Sequence, residues 1–147
     1  MQGDVKEPMA TLNSISRLDS LMLLRAPFAD VARSLARAMS DDMVVYETLR
    51  TKERQAKLRA IGASQTKLSA HEYGLALDMV LAPRFVNPWM SSGEKRFRGH
   101  PQVEEADHIW KEYGMTARSL GLLWGGDWKM RDLVHVELKD WRRIMNG

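Results

Sequence analysis

The stretch Ser69-Ala-His71-Glu-Tyr-Gly74-Leu-Ala76-Leu-Asp78-Met-Val-Leu81 decides how this chain is read. Its second half, Ala76 to Leu81, is a short apolar run closed by Pro83, the pattern of a buried strand. Its first half is a polar loop ending at His71. Gly74 between them permits a tight backbone path. Asp78 stands in the middle of the apolar run, where an unpartnered carboxylate is costly. It must be paired, hydrogen-bonded or metal-bound, or else lie on the solvent face of an edge strand.

Outward from this stretch, the pattern alternates between helix and strand. Residues 1–12 are polar and read as a loose arm. Asn13 or Ser14 caps a short helix carrying Leu18, Leu21 and Met22. Pro27 opens a second helix, with Phe28, Val31, Ala32, Leu35, Ala38 and Met39 at helical spacing. Met43 to Tyr46 reads as a buried strand. Thr51 caps a helix from about Lys52 to Ile61 that ends at Gly62, and a polar loop runs from Ala63 to Ala70. Residues 83–100 read as a long surface loop, a feature more often functional than idle. Pro101 opens a long helix whose apolar stripe is Val103, Ala106, Trp110, Tyr113, Ala117 and Leu120, with Gly121 behind it. Trp124-Gly-Gly-Asp-Trp128 is a glycine-hinged turn. Val134 to Leu138 alternates as a strand, and a basic tail runs from Lys139 to Arg143. No repeat or linker interrupts residues 1–147, so a single α+β domain is expected.

Composition narrows the chemistry. Of 147 residues, 44% are hydrophobic and 28% charged, which suits a globular domain. With no cysteine and only four histidines, any metal site must be built from His, Asp and Glu. The net charge of +3 is mild, and its 22 basic and 19 acidic residues are well mixed. No basic run interleaved with aromatics marks a nucleic-acid platform, so no nucleic-acid partner is expected. Neither a leader pattern nor an apolar run near the ~20 residues of a membrane span is present, so synthesis in the cytoplasm is expected.

A second segment, Asp132-Leu-Val-His135-Val-Glu137, places a histidine at the start of a strand with an acid three residues before it. His71, Asp78 and His135 together form a set of N and O donors of the kind zinc takes. Three such ligands leave a fourth position for water. His100 and His108 read as surface residues, and Trp110 and Tyr113 as core. Trp124 and Trp128 are either core or lining of a substrate cleft. Asp127 either orients a zinc-bound histidine or shapes its turn, and Glu137 is a weaker candidate for the same orienting task.

Ser69-x-His71-x-x-Gly74-x-Ala76-x-Asp78 followed by Asp132-x-x-His135 resembles the zinc peptidases of the D-alanyl-D-alanine carboxypeptidase/dipeptidase group. The similarity is nearest to its phage-endolysin branch, the L-alanyl-D-glutamate peptidases. Tyr46-Glu-Thr-Leu-Arg50-Thr-x-Glu-Arg-Gln55, Gly62-Ala-Ser-Gln-Thr-Lys67 and Trp124 to Trp128 carry the same resemblance, which runs from about Asn13 to Glu137. The resemblance implies a small antiparallel sheet flanked by helices, with zinc on the sheet held by His71, Asp78 and His135. It implies Asp132 as general base and Arg50 as the cation beside the scissile carbonyl. Arg54 competes with Arg50 for that role. Ser69, Trp124, Asp127 and Trp128 are the candidate substrate contacts.

The expected function is hydrolysis of the L-alanyl–D-glutamate bond of peptidoglycan by a monomeric phage lysin. It would stay in the cytoplasm until lysis and then act on the wall. Two alternatives remain: a D-alanyl-D-alanine dipeptidase or carboxypeptidase, and a non-catalytic, zinc-stabilised wall-binding module. Lys139, Arg142 and Arg143, with Trp141 and Ile144, either form a basic amphipathic segment for anionic membrane or lipopolysaccharide, or dock Trp141 on the core.

Overall fold

Among the described residues, four short strands form one antiparallel sheet whose spatial order, numbered along the chain, is first, second, fourth, third. The computed structural model describes residues 21, 24–26, 28–49, 52–62 and 70–146. The arm at 1–12, the proposed caps at Asn13, Ser14 and Thr51, and most of the 63–70 loop lie outside those residues, as do Ser69 and Arg50. The strands are β1 (Met43–Glu47), β2 (Ala76–Leu81), β3 (Leu122–Trp124) and β4 (His135–Leu138). The helices are α1 (Phe28–Ala38), α2 (Lys52–Ala60), α3 (Val103–Ser119) and α4 (Trp141–Asn146).

The apolar run at 76–81 becomes the interior strand β2, flanked by β1 and β4 and buried along its whole length. The edge-strand reading of Asp78 therefore does not hold. β1 pairs with β2 through Met43↔Leu81, Val44↔Val80 and Val45↔Met79, then slips, so that Glu47 rather than Tyr46 faces Asp78. That extra residue is a β-bulge, which bends the strand end.

The apolar stripe of α1 buries Phe28, Ala32 and Leu35, and that of α3 buries Val103, Ala106, Ile109, Trp110, Tyr113 and Ala117. The buried aromatics keep their polar atoms satisfied. Trp110 Nε1 donates to the Met90 carbonyl at 2.7 Å, and the Tyr113 hydroxyl donates to the Val134 carbonyl at 2.7 Å. Tyr113 therefore ties α3 to the residue before β4.

Three elements differ from the sequence reading. The 83–100 segment is anchored rather than superficial, because Phe85, Met90 and Phe97 are buried. Its Arg84 bridges Asp42 and Glu105, both at 2.9 Å. Leu122 to Trp124 form a strand that pairs with β4, where no strand was expected. The basic tail leads into the helix α4, which was not expected, while Trp141, buried beside the Tyr73 ring, takes the docking alternative the sequence left open. Asp140 makes the corner before α4 in the left-handed region, at φ 57°.

Trp124 is core, and two glycines make room for it. A Cβ on Gly114 of α3 would lie 2.2–2.6 Å from the Trp124 ring, and one on Gly126 would lie 2.2–2.4 Å from it. Alanine in place of glycine inside a helix favours folding by about 1 kcal/mol. Overpacking a rigid ring costs about 1–3 kcal/mol and wins here, since the ring cannot swing aside as a flexible chain end can. Gly114→Ala is therefore expected to lower stability despite the better helix former. A urea midpoint equal to or above the wild-type value would contradict this packing.

Candidate metal centre

His71, Asp78 and His135 arrive from different parts of the chain and converge. Asp78 and His135 are direct cross-strand partners in the β2–β4 ladder, so both side chains leave the same face of the sheet. His71 lies in a 3-10 turn, Ala70–Tyr73, that leads into β2 through Gly74 at φ 70°. The Gly74 amide returns to the His71 carbonyl at 3.3 Å, closing the turn.

One carboxylate oxygen receives both rings. His71 Nε2 is 3.2 Å and His135 Nδ1 3.1 Å from Asp78 Oδ1. The two ring centroids are 5.0 Å apart at 72°. One ligand atom from each of the three residues lies within 4.8 Å of the others. All three are buried, with exposures of 1% for His71 and 7% for each partner. Such a compact N/O/N donor set matches zinc chemistry, and the residues present fit that ion.

The far nitrogen of each ring is also held. His71 Nδ1 donates to the Thr48 carbonyl at 2.7 Å, just past the bulge of β1. This bond fixes the tautomer and leaves Nε2 toward Asp78. His135 Nε2 meets Glu137 Oε1 at 2.7 Å.

Electrostatics follow from this packing. Burial works to raise the Asp78 pKa, but the two imidazoles outweigh it and hold the carboxyl well below the usual range. Burial works to lower the pKa of His135, yet hydrogen bonds to Asp78 and Glu137 push it up to about 10. The Tyr113 hydroxyl is raised by its burial and by the nearby Asp78 and Asp132 carboxylates.

Asp132 is placed beside the set by backbone hydrogen bonds. The His135 amide donates to the Asp132 carbonyl at 3.3 Å, and the Asp132 amide donates to the Gly125 carbonyl at 2.9 Å. Gly125 is required at that contact, because a Cβ there would lie 2.3 Å from the Asp132 carbonyl oxygen. Asp132 Oδ1 is buried and has no hydrogen-bond partner among the described residues. A buried carboxylate oxygen left open suits a group that meets substrate or water.

The remaining candidates separate. Trp124 lies in the core and donates through Nε1 to the Leu133 carbonyl at 2.8 Å. Trp128 is 37% exposed and sits against the His135 ring, with centroids 5.2 Å apart. Asp127 makes its hydrogen bonds away from the histidines. Arg118 of α3 takes both of its oxygens, and this pairing lowers the Asp127 pKa. The side-chain contact to His135 Nε2 is made by Glu137. His108 pairs with Glu112 on the surface, and His100 accepts the Gln102 amide. The Arg54 side chain, like Arg50 and Ser69, lies outside the described residues.

The chain is similar to known peptidases. The profile of the D-alanyl-D-alanine carboxypeptidase family matches residues 62–138. The chain is 36% identical over 107 residues to the L-alanyl-D-glutamate peptidase of Listeria phage A118, covering 68% of this chain but only 34% of that protein. It is 30% identical over 121 residues to the peptidoglycan L-alanyl-D-glutamate endopeptidase CwlK of Bacillus subtilis (strain 168), covering 75% of this chain and 68% of that protein. The crystal structure of the Serratia marcescens L-Ala D-Glu endopeptidase ChiX superimposes with a TM-score of 0.58 at 26% identity. That match covers 97% of this chain and 98% of the other.

Two expectations follow. The His135 pKa is raised from 6.5 to about 10, so its proton stabilises the metal-free fold fully below about 6.5 and that contribution fades as pH rises through about 10. A metal ion bound there would have to displace this proton, whereas Asp78 is already ionised. Apparent zinc affinity of chelator-stripped protein should therefore rise about tenfold per pH unit between pH 7 and 9, the slope of one released proton. Chelator competition showing a flat profile would contradict the protonation state. Separately, Gly125→Ala should displace Asp132 while sparing His71, Asp78 and His135. A rate loss of about tenfold or more with full metal content is expected, and an unchanged rate would show that the contact is slack.

Proposed function

The chain belongs to the D-alanyl-D-alanine carboxypeptidase family of peptidases, and from that premise we propose that it hydrolyses the L-alanyl–D-glutamate bond in the peptide stem of bacterial peptidoglycan. The observation that carries this reading is the convergence of His71, Asp78 and His135 with Asp132, whose buried Oδ1 has no hydrogen-bond partner among the described residues, held beside His135. The names of the phage, Bacillus and Serratia relatives support the choice of bond. The chain spans about a third of the phage relative's length, so that protein's full activity does not transfer as a whole.

His71, Asp78 and His135 would hold the zinc ion, which supplies Lewis acidity and lowers the pKa of water toward neutrality. The chain's own groups do the rest. Asp132 accepts a proton from the attacking water and returns it to the leaving amine nitrogen. Its backbone bond to Gly125 fixes where Asp132 sits on the loop before β4. Trp128 offers a flat apolar wall at the exposed edge of the centre, against which a stem peptide can lie. Ser69 is a further candidate for that contact. Arg50, by its place in the motif, would offset charge on the scissile carbonyl oxygen.

A phage lysin that waits in the cytoplasm and acts as a monomer on the wall is the setting that fits this activity. No helix among the described residues is long and apolar enough to cross a membrane. Trp141 is spent in the core, so any contact with anionic lipid or lipopolysaccharide would rest on the exposed charges of Lys139, Arg142 and Arg143.

D-alanyl-D-alanine cleavage is the second reading, favoured by the description of the matching family. Mass spectrometry of purified muropeptide digests decides between them. Products beginning with D-glutamate are expected, and released D-alanine would establish the other bond. A wall-binding module without activity would leave the muropeptides intact. In the same assay Asp132→Asn should keep zinc and melting temperature yet lose about 10²–10⁴ in turnover, because an amide cannot accept the proton. A folded, zinc-loaded Asp132→Asn protein with wild-type turnover would place the base elsewhere.

A further inference from the structure

Glu137 has no part in the chemistry described so far, yet it makes one of the shortest side-chain contacts in the centre. Strand alternation puts residues 135 and 137 on the same face of β4. Across β2, the residue opposite Glu137 is Ala76, and across β3 it is Leu123. The small Ala76 leaves room for the Glu137 side chain to lie along the sheet toward His135. Its Oε1 reaches His135 Nε2 at 2.7 Å, and the carboxylate is largely buried, with 14% of the side chain exposed.

The two histidines are therefore held in opposite senses. His71 is pinned at Nδ1 by the Thr48 carbonyl and presents Nε2 to Asp78. His135 is pinned at Nε2 by Glu137 and presents Nδ1 to Asp78. An imidazole held at one nitrogen alone can flip about its Cβ–Cγ bond and carry that nitrogen away from the centre. A partner on the far nitrogen removes this freedom, and an anionic partner also strengthens the facing nitrogen as a donor. Trp128 covers the His135 ring but offers it no hydrogen bond, so it cannot choose between the two nitrogens. Asp127 is held by Arg118 and does not compete.

We propose that Glu137 is the positioning residue of the metal centre, holding His135 Nε2 so that Nδ1 faces the ion. The inference rests on the assignment of His71, Asp78 and His135 as ligands, and not on which bond is cut. The test uses the full chain, stripped of metal and titrated with zinc against a competing chelator and with cobalt(II) followed by its visible absorption. Wild type, E137A and E137Q are compared, with circular dichroism as the check of fold. E137A should bind zinc about 10–100-fold more weakly than wild type and give a shifted cobalt spectrum. E137Q keeps an oxygen that can accept from Nε2–H. It should recover the wild-type cobalt spectrum and lie between the other two in zinc affinity. If E137A does not fold, E137Q decides: weaker zinc binding with a wild-type cobalt spectrum supports the proposal. Zinc affinity within about twofold of wild type in the folded variants overturns it. A wild-type chain that binds neither metal overturns the ligand assignment itself and this proposal with it. Retained metal binding without peptidase activity would count against the proposed reaction alone.

Discussion

The Asp78 carboxylate sits in an interior strand with an imidazole on either hand, and the rest of the centre is arranged around it. A charge buried in the middle of a sheet costs several kcal/mol unless it is met by partners of opposite sign or by hydrogen-bond donors. Asp78 meets two nitrogens through one oxygen. Each imidazole, brought this close to the anion, must in turn be oriented. The bulge in β1 supplies the Thr48 carbonyl for His71, and the alternation of β4 supplies Glu137 for His135. The sheet is thus more than a scaffold. Its register decides which side chains stand opposite one another, and slipping β4 by one residue would turn His135 and Glu137 to the other face.

The general-base candidate depends on a different device. Asp132 lies on the loop between β3 and β4, where no ladder fixes it. Three contacts do that work. Its amide is held by the Gly125 carbonyl, its own carbonyl is taken by the His135 amide, and Trp124 anchors the loop by donating to Leu133. Trp124 can lie there because Gly114 and Gly126 carry no side chain. The Trp-Gly-Gly-Asp-Trp segment is therefore read best as a packing motif that fixes the loop carrying Asp132. Its first tryptophan is core, its aspartate answers Arg118, and only its second tryptophan faces the centre.

Much of this was legible in the sequence for physical reasons. The 76–81 run is too apolar to be anything but buried, which made Asp78 conspicuous. The shortage of histidines left few ways to build a metal site without cysteine. What escaped reading depended on distant partners or on brevity. β3 is three residues long, too short for alternation to register, and it forms because β4 offers it a ladder. α4 follows β4 through Asp140 at positive φ, a corner that aspartate adopts without advertising it. Phe85, Met90 and Phe97 bury at no regular spacing, so the 83–100 segment looked superficial. Asp127 looked the better partner for a histidine than Glu137, because Arg118, nine residues earlier on α3, is invisible as its competitor until the helix and the turn are placed together.

The centre therefore divides into a part made by pairing and a part made by packing, and the two tolerate change differently. The pairing of Asp78 with His135 follows from strand register, which is cooperative and kept whole or lost whole, while His71 is set by its own turn. The position of Asp132 follows from a glycine contact and a ring seated between two glycines, where a single methyl group can shift the loop and leave the ladder intact. On the roles proposed above, metal binding and proton transfer should accordingly be separable by mutation. The separation runs along the boundary between β4 and the loop that precedes it, with His135 and Glu137 on one side and Asp132 on the other.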